Sequence, residues 1–224
     1  GNGDLIANGG ETLEVDVTIK NYGTEDAVGT VGYLSSNNGS VSIDPSTNPM
    51  DFGDMSPGES ATSFSPFIIT LEDGLPDATD LELTLSFTNS EESPFGSGSL
   101  NIVSSGNALS AVGMDVMGVL GSNVLEPGET SDIKIELNNS GTTDALSVSG
   151  TITCASPFVE IEDASGTWTI VNSGGSSMNG DDHFQISTLE ETIPGAIAHL
   201  IVSLETEDGY VSNSILEVQI GTPT

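Results

Sequence analysis

Gly10–Ala27 reads GETLEVDVTIKNYGTEDA, and Gly128–Ala145 reads GETSDIKIELNNSGTTDA. The two stretches align without a gap at an offset of 118. In the first, Leu13, Val15, Val17 and Ile19 alternate with Glu14, Asp16, Thr18 and Lys20. A period of two puts one apolar and one charged face on an extended chain, so the stretch reads as a half-buried strand of an antiparallel sheet. The copy keeps the phase with Ile133, Ile135 and Leu137, and places Ser131 where the first has Leu13. Asn21-Tyr22-Gly23 and Asn139-Ser140-Gly141 end the two strands, with Gly free to take the positive φ of a tight turn.

Further along, Val41 and Ile43 match Val159 and Ile161, Met50 matches Trp168, and Leu71-Glu72 matches Leu189-Glu190. Near position 80 the register slips by one, so that Leu81, Leu83 and Leu85 match Leu200, Val202 and Leu204. A one-residue indel in a connecting loop accounts for the slip. A period this long repeats whole domains, not short solenoid units. The expected domains are residues 1–105 and 106–224, each of ordinary domain size. Strands are expected at about 12–20, 27–35, 41–43, 50–52, 61–71, 80–88 and 97–104, with the series repeated in the second half. Many short strands separated by Gly, Pro and Asn turns predict an all-β chain of two tandem immunoglobulin-like antiparallel β-sandwich domains.

The second repeat carries a further apolar segment, Ala108–Val119, ahead of its Glu126-Pro127-Gly128-Glu129 turn. Its counterpart at the same offset falls ahead of Gly1, so repeat one is expected to lack its first strand. A sheet that lacks a strand exposes a row of backbone N–H and C=O groups. Either the strand lies elsewhere in a longer chain, or the sandwich manages with fewer strands, or a strand from another subunit completes it by β-augmentation. Ser212–Ile220 or a segment near either terminus are the donors considered for the last case, and a head-to-tail contact of that kind builds filaments.

Charge excludes several classes of function. There are 34 acidic residues against two cations, Lys20 and Lys134, for a net charge of −32. Almost nothing can neutralise phosphates, so nucleic acid is not an expected partner; neither is an anionic membrane, and membrane insertion is not expected either. Such a chain repels itself at low ionic strength, which predicts dependence on salt or divalent cations and suits a salty habitat. It offers almost no site to trypsin-like proteases, which suits a place outside the cell. The single cysteine, Cys154, alternates with Ile152 and reads as a small buried apolar residue.

Few residues suggest chemistry. Asn2, Asp4, Asn8 and Glu11 crowd one turn, and hard oxygen donors at close spacing are the type that holds calcium, although the EF-hand spacing is absent. Calcium is the one cofactor expected, if any. Acidic pairs such as Glu72-Asp73, Asp181-Asp182, Glu190-Glu191 and Glu207-Asp208 read as solvated turns. His183 and His199 have no metal-ligand spacing, and no G-x-S-x-G elbow supports nucleophilic catalysis. Lys20 points outward by phase, against the buried site that an isopeptide bond needs. No catalytic residue is expected.

The pattern of a "PGE" turn, an alternating strand and an ending N-x-G-T-x-D-A resembles CARDB-type bacterial and archaeal extracellular modules and those beside gingipain-like peptidases. Glu126–Glu129 and Asn139–Ala145 carry it in repeat two, while repeat one has Asn8-Gly9-Gly10-Glu11 without the proline. The resemblance implies an extracellular immunoglobulin-like module without an active site. The expected function is therefore structural: a surface filament subunit assembling by strand donation, or an adhesive stalk, with copies of itself and cell-surface molecules as partners. The alternative is an accessory or carbohydrate-binding domain pair of a secreted hydrolase. That would call for an exposed aromatic platform, whereas the aromatic residues fall mostly in inward strand phases.

Overall fold

The alternating stretches form strands, and the chain is all-β in the computed structural model, which describes Gly3, residues 5–117 and residues 124–223. The one helical element among the described residues is a 3-10 turn, Pro45–Thr47, in the loop expected at 44–49. Contacts divide the chain into two compact units, Gly1–Ser105 and Gly106–Thr224.

The first unit holds β1 (Ala7–Asn8), β2 (Thr12–Val15), β3 (Thr18–Lys20), β4 (Ala27–Ser36), β5 (Val41–Ile43), β6 (Met50–Met55), β7 (Ser60–Thr62), β8 (Phe67–Leu71), β9 (Asp80–Thr88) and β10 (Pro94–Ser105). The second holds β11 (Leu109–Val116), β12 (Val124–Leu125), β13 (Thr130–Asn139), β14 (Ala145–Cys154), β15 (Val159–Asp163), β16 (Ser165–Val171), β17 (Gly175–Met178), β18 (Phe184–Thr188), β19 (Ala196–Glu205) and β20 (Val211–Ile220). In the first unit one sheet runs β1-β10-β9-β4-β6; in the second the same order returns as β12-β20-β19-β14-β16. Even the parallel pairing recurs, β1 on β10 and β12 on β20. Opposite this sheet the second unit has β11-β13-β18-β15, with β17 also on β13. The first unit has β2-β8-β5 and β3-β7 there. β2 and β3 together are thus the counterpart of β13, and among the described residues β11 has none.

Each unit buries the facing sides of its sheets in one apolar cluster. In the second unit Ile133, Ile135, Leu137, Phe184 and Ile186 meet Val148, Trp168, Leu200, Val202, Leu204 and Val218. In the first, Val17, Phe67, Ile69 and Leu71 meet Leu34, Phe52, Leu81, Leu83 and Leu85. Packing is close: a Cβ on Gly166 would lie 2.6 Å from the Phe184 ring. The structure corrects one match of the repeat: Gly32 pairs with Met50 as Gly150 pairs with Gly166, so the counterpart of Trp168 is Phe52, which is equally buried and packs on Gly32 as Trp168 packs on Gly150.

The strand expected at 12–20 is interrupted at Asp16 and Val17. Val15 pairs with Phe67, and the next pairing is Thr18 with Thr62. Ser63 still donates to the Val17 carbonyl, while residues 64–66 bow away from the edge, which also splits the strand expected at 61–71. β17 was not foreseen, because GSSM has no apolar alternation. Of the segment expected at 108–119, β11 takes Leu109–Val116, and positions 118 and 119 lie outside the described residues. The expectation that aromatics face inward fails at Tyr22, Phe64 and Phe95, which are exposed. Tyr22 and Phe64 lie between strands, and Phe95 sits at the start of β10, where the register shifts between Pro94 and Gly96.

Candidate functional site

The feature that sets the units apart lies where the first lacks β11. In the second unit β11 runs antiparallel to β13, pairing Val116 with Ile133, Met114 with Ile135 and Leu109 with Asn139. It also reaches β20: the Leu109 N–H donates to the Tyr210 hydroxyl (3.1 Å) and the Ala111 N–H to Ser214 Oγ (2.9 Å). It turns Leu109, Met114 and Val116 into the core. Ile133, Ile135 and Leu137 are then fully shielded, each at 0% exposure.

In the first unit the same place is an open groove of about 570 Å³. Leu13, Glu14, Val15 and Asp16 line it from the β2 side and Ile102 from β10, the counterparts of the two strands that β11 touches, and Gly3, Leu5, Ile6 and Ala7 of the N-terminal segment form the remaining wall. Val15 and Ile19, which match the buried Ile133 and Leu137, are only partly covered. Beside the groove Leu5 is fully exposed and its φ is +65°, a conformation that L residues rarely take. Among the described residues no strand pairs with β2 or β3 except β8 and β7.

Backbone direction completes the edge. The Glu11 carbonyl accepts from the Leu71 N–H (2.8 Å), the Val17 carbonyl from the Ser63 N–H (3.0 Å), and the Asn21 N–H donates to the Glu59 carbonyl (2.9 Å). Odd-numbered residues thus commit their backbone to β7, β8 and the loop between them. By alternation, Glu14, Asp16, Thr18 and Lys20 turn their N–H and C=O groups to the side of the edge away from β7 and β8, Glu14 and Asp16 beside the groove. In the second unit Asp132, the match of Glu14, accepts there from the Met117 N–H (2.9 Å).

The asparagines that end the two edge strands record the same difference. Asn139 donates to the carbonyls of Thr143 (2.8 Å) and Val171 (3.1 Å), and its Oδ1 accepts from the N–H groups of Gly141 (3.0 Å) and Ala108 (3.2 Å). Asn21 donates to Glu25 (2.8 Å) and Met55 (3.0 Å) and accepts from Gly23 (2.9 Å). The bond without a match comes from Ala108, at the start of the strand the first unit lacks.

Of the four residues grouped for calcium, Asn2 and Asp4 lie outside the described residues. Asn8 and Glu11 do come together: the Asn8 N–H donates to Glu11 Oε2 (3.3 Å). Ser56 and Glu59 (3.0 Å) and Glu126 and Glu129 (2.8 Å) repeat that bond. In each turn a glycine at positive φ, Gly10, Gly58 or Gly128, precedes the glutamate. The glutamate of this motif therefore closes its own turn at three places. Among the described residues no group of three or more His, Cys, Asp or Glu is placed to hold a metal.

His199 meets Glu217 at 3.3 Å on the surface, His183 is in the second unit near β18, and Cys154 is partly buried against the core. Lys20 is exposed, with its ammonium 5.2 Å from the Tyr22 ring centre. Asp44 and Asp163 titrate below the ordinary range because each accepts a backbone N–H, from Ser46 and Ser165 respectively. Both are local turns, and any stability they lend is present above the ordinary aspartate pKa and fades as pH falls through the lowered value.

Compared with known proteins, the chain matches no family model and no curated protein. Among the described residues no helix is long and apolar enough to cross a membrane.

Proposed function

We propose that this chain is a non-catalytic extracellular structural protein of two tandem immunoglobulin-like β-sandwiches, whose copies associate by β-strand addition at the β2–β3 edge. It serves as a surface filament subunit or as an adhesive stalk module of the kind its CARDB-like turns and strands suggest. The observation that carries the reading is the groove between β2 and β10, placed where β11 lies between β13 and β20. Edge strands with open backbone groups are the usual templates for such pairing, and natural proteins otherwise cover or distort them. The composition supports a place outside the cell, since two lysines and no arginine leave few sites for trypsin-like proteases.

The test is sedimentation across a wide concentration range at sea-water ionic strength, with negative-stain electron microscopy of the same samples. Concentration-dependent association, in pairs or in filaments, is expected. A stable monomer at every concentration would overturn the reading.

A further inference from the structure

The edge has a register in which it matches itself. Both lysines of the chain lie on the two copies of this strand, Lys20 on β3 and Lys134 on β13. In the second unit Lys134 faces Asp115 of β11. The match of Lys134 in the first unit is Asp16, so a strand patterned on β11 would set Asp115's counterpart against an acid. The first unit asks for a different occupant: an acid opposite Lys20, no acid opposite Asp16, and apolar residues opposite Val15, Val17 and Ile19.

Glu14–Lys20 meets that description, and it is already an edge. We propose that the occupant is the same strand of a second copy, paired antiparallel about a two-fold axis at Val17; this rests on the strand-addition reading above. Glu14 then faces Lys20 of the second copy, Val15 faces Ile19, Asp16 faces Thr18 and Val17 faces its own mate. The Glu14–Lys20 pairing occurs twice, once on each side of the axis. Even-numbered residues face even-numbered ones, which are those whose backbone groups point away from β7 and β8. A shift by an odd number of residues would set apolar against polar side chains. Centring on Asp16 would oppose two like charges, which is destabilising. Centring on Thr18 would set Val15 against Asn21 and Glu14 against Tyr22. The contact is isologous and closes as a dimer, so any filament needs a second contact elsewhere on the chain.

Charge reversal on the full chain tests this, because Glu14, Asp16 and Lys20 are exposed and their replacement spares the core. At about 0.15 M salt, charges more than roughly 8 Å apart are screened while facing pairs still act. Lys20→Glu alone and Glu14→Lys alone are each expected to weaken self-association about tenfold or more, since each puts like charges opposite each other twice. An equimolar mixture of the two variants is expected to regain association as the mixed pair, and so is the double variant. Association of the parent chain that ignores these changes would overturn the self-pairing and leave strand addition standing. Rescue of Lys20→Glu by Asp16→Lys in place of Glu14→Lys would overturn the register. A parent chain that stays monomeric would overturn both.

Discussion

Trp168→Ala is expected to destabilise the second unit by about 3–5 kcal/mol, the usual cost of emptying a large aromatic site in a core. The ring is 2% exposed and packs against Phe184 with centroids 6.0 Å apart. Its Nε1–H donates to the Ile135 carbonyl (3.2 Å) on β13. Across the sheet, a Cβ on Gly150 would lie 2.8 Å from the ring, so β14 has been emptied to admit it. The indole thus ties β16 to the strand that β11 covers. Removing it leaves a cavity that neighbouring strands in a hydrogen-bonded sheet cannot close. Urea unfolding followed by circular dichroism measures the effect. A loss under about 1 kcal/mol would mean that the core collapses around the site and that the ring is not its centre.

The second large effect is a contrast between two asparagines. Asn139→Ala is expected to cost about 3 kcal/mol or more, and Asn21→Ala about 1 kcal/mol. Asn139 is fully buried and makes four hydrogen bonds, to groups on three separate segments. Truncation leaves backbone groups of Thr143, Val171, Gly141 and Ala108 short of partners where water does not reach. Asn21 makes the matching bonds at a surface that water does reach, and lacks the one from Ala108. Matched denaturation of the two variants measures the difference. Equal losses would show that β11 adds nothing to the lock on its edge strand.

Much of this was legible in the sequence because it depends on period and phase. Ile133, Ile135 and Leu137 alternate with polar residues and are buried, and Leu81, Leu83 and Leu85 behave alike. Ala108–Val119 stands out in the sequence as a segment without a counterpart at the same offset, and among the described residues β2 and β3 pair only with β8 and β7. What depends on contact between distant segments was not legible. The break at Asp16–Val17 comes from residues 64–66 bowing out of the partner strand, and nothing in EVDVTI announces it. Ile102 reaches the groove from a strand whose first half, PFGSGS, has no alternation. β17 pairs through its backbone alone. The four bonds of Asn139 were hinted at by the repeated N-x-G, but its partners lie up to 32 residues away. The bond from each turn-motif glutamate to its own backbone was not legible, because an oxygen that closes a turn and one that binds a cation look the same in a sequence.

Amide hydrogen exchange along the edge tests the central claim most directly. In dilute solution the amides of Asp16 and Thr18 are expected to exchange quickly, while those of Lys134 and Glu136, their matches under β11, exchange slowly. At concentrations where copies associate, Asp16 and Thr18 should become slow as well, because a strand has taken up their N–H groups. Association that leaves those two amides fast would place the contact elsewhere on the molecule and contradict the account.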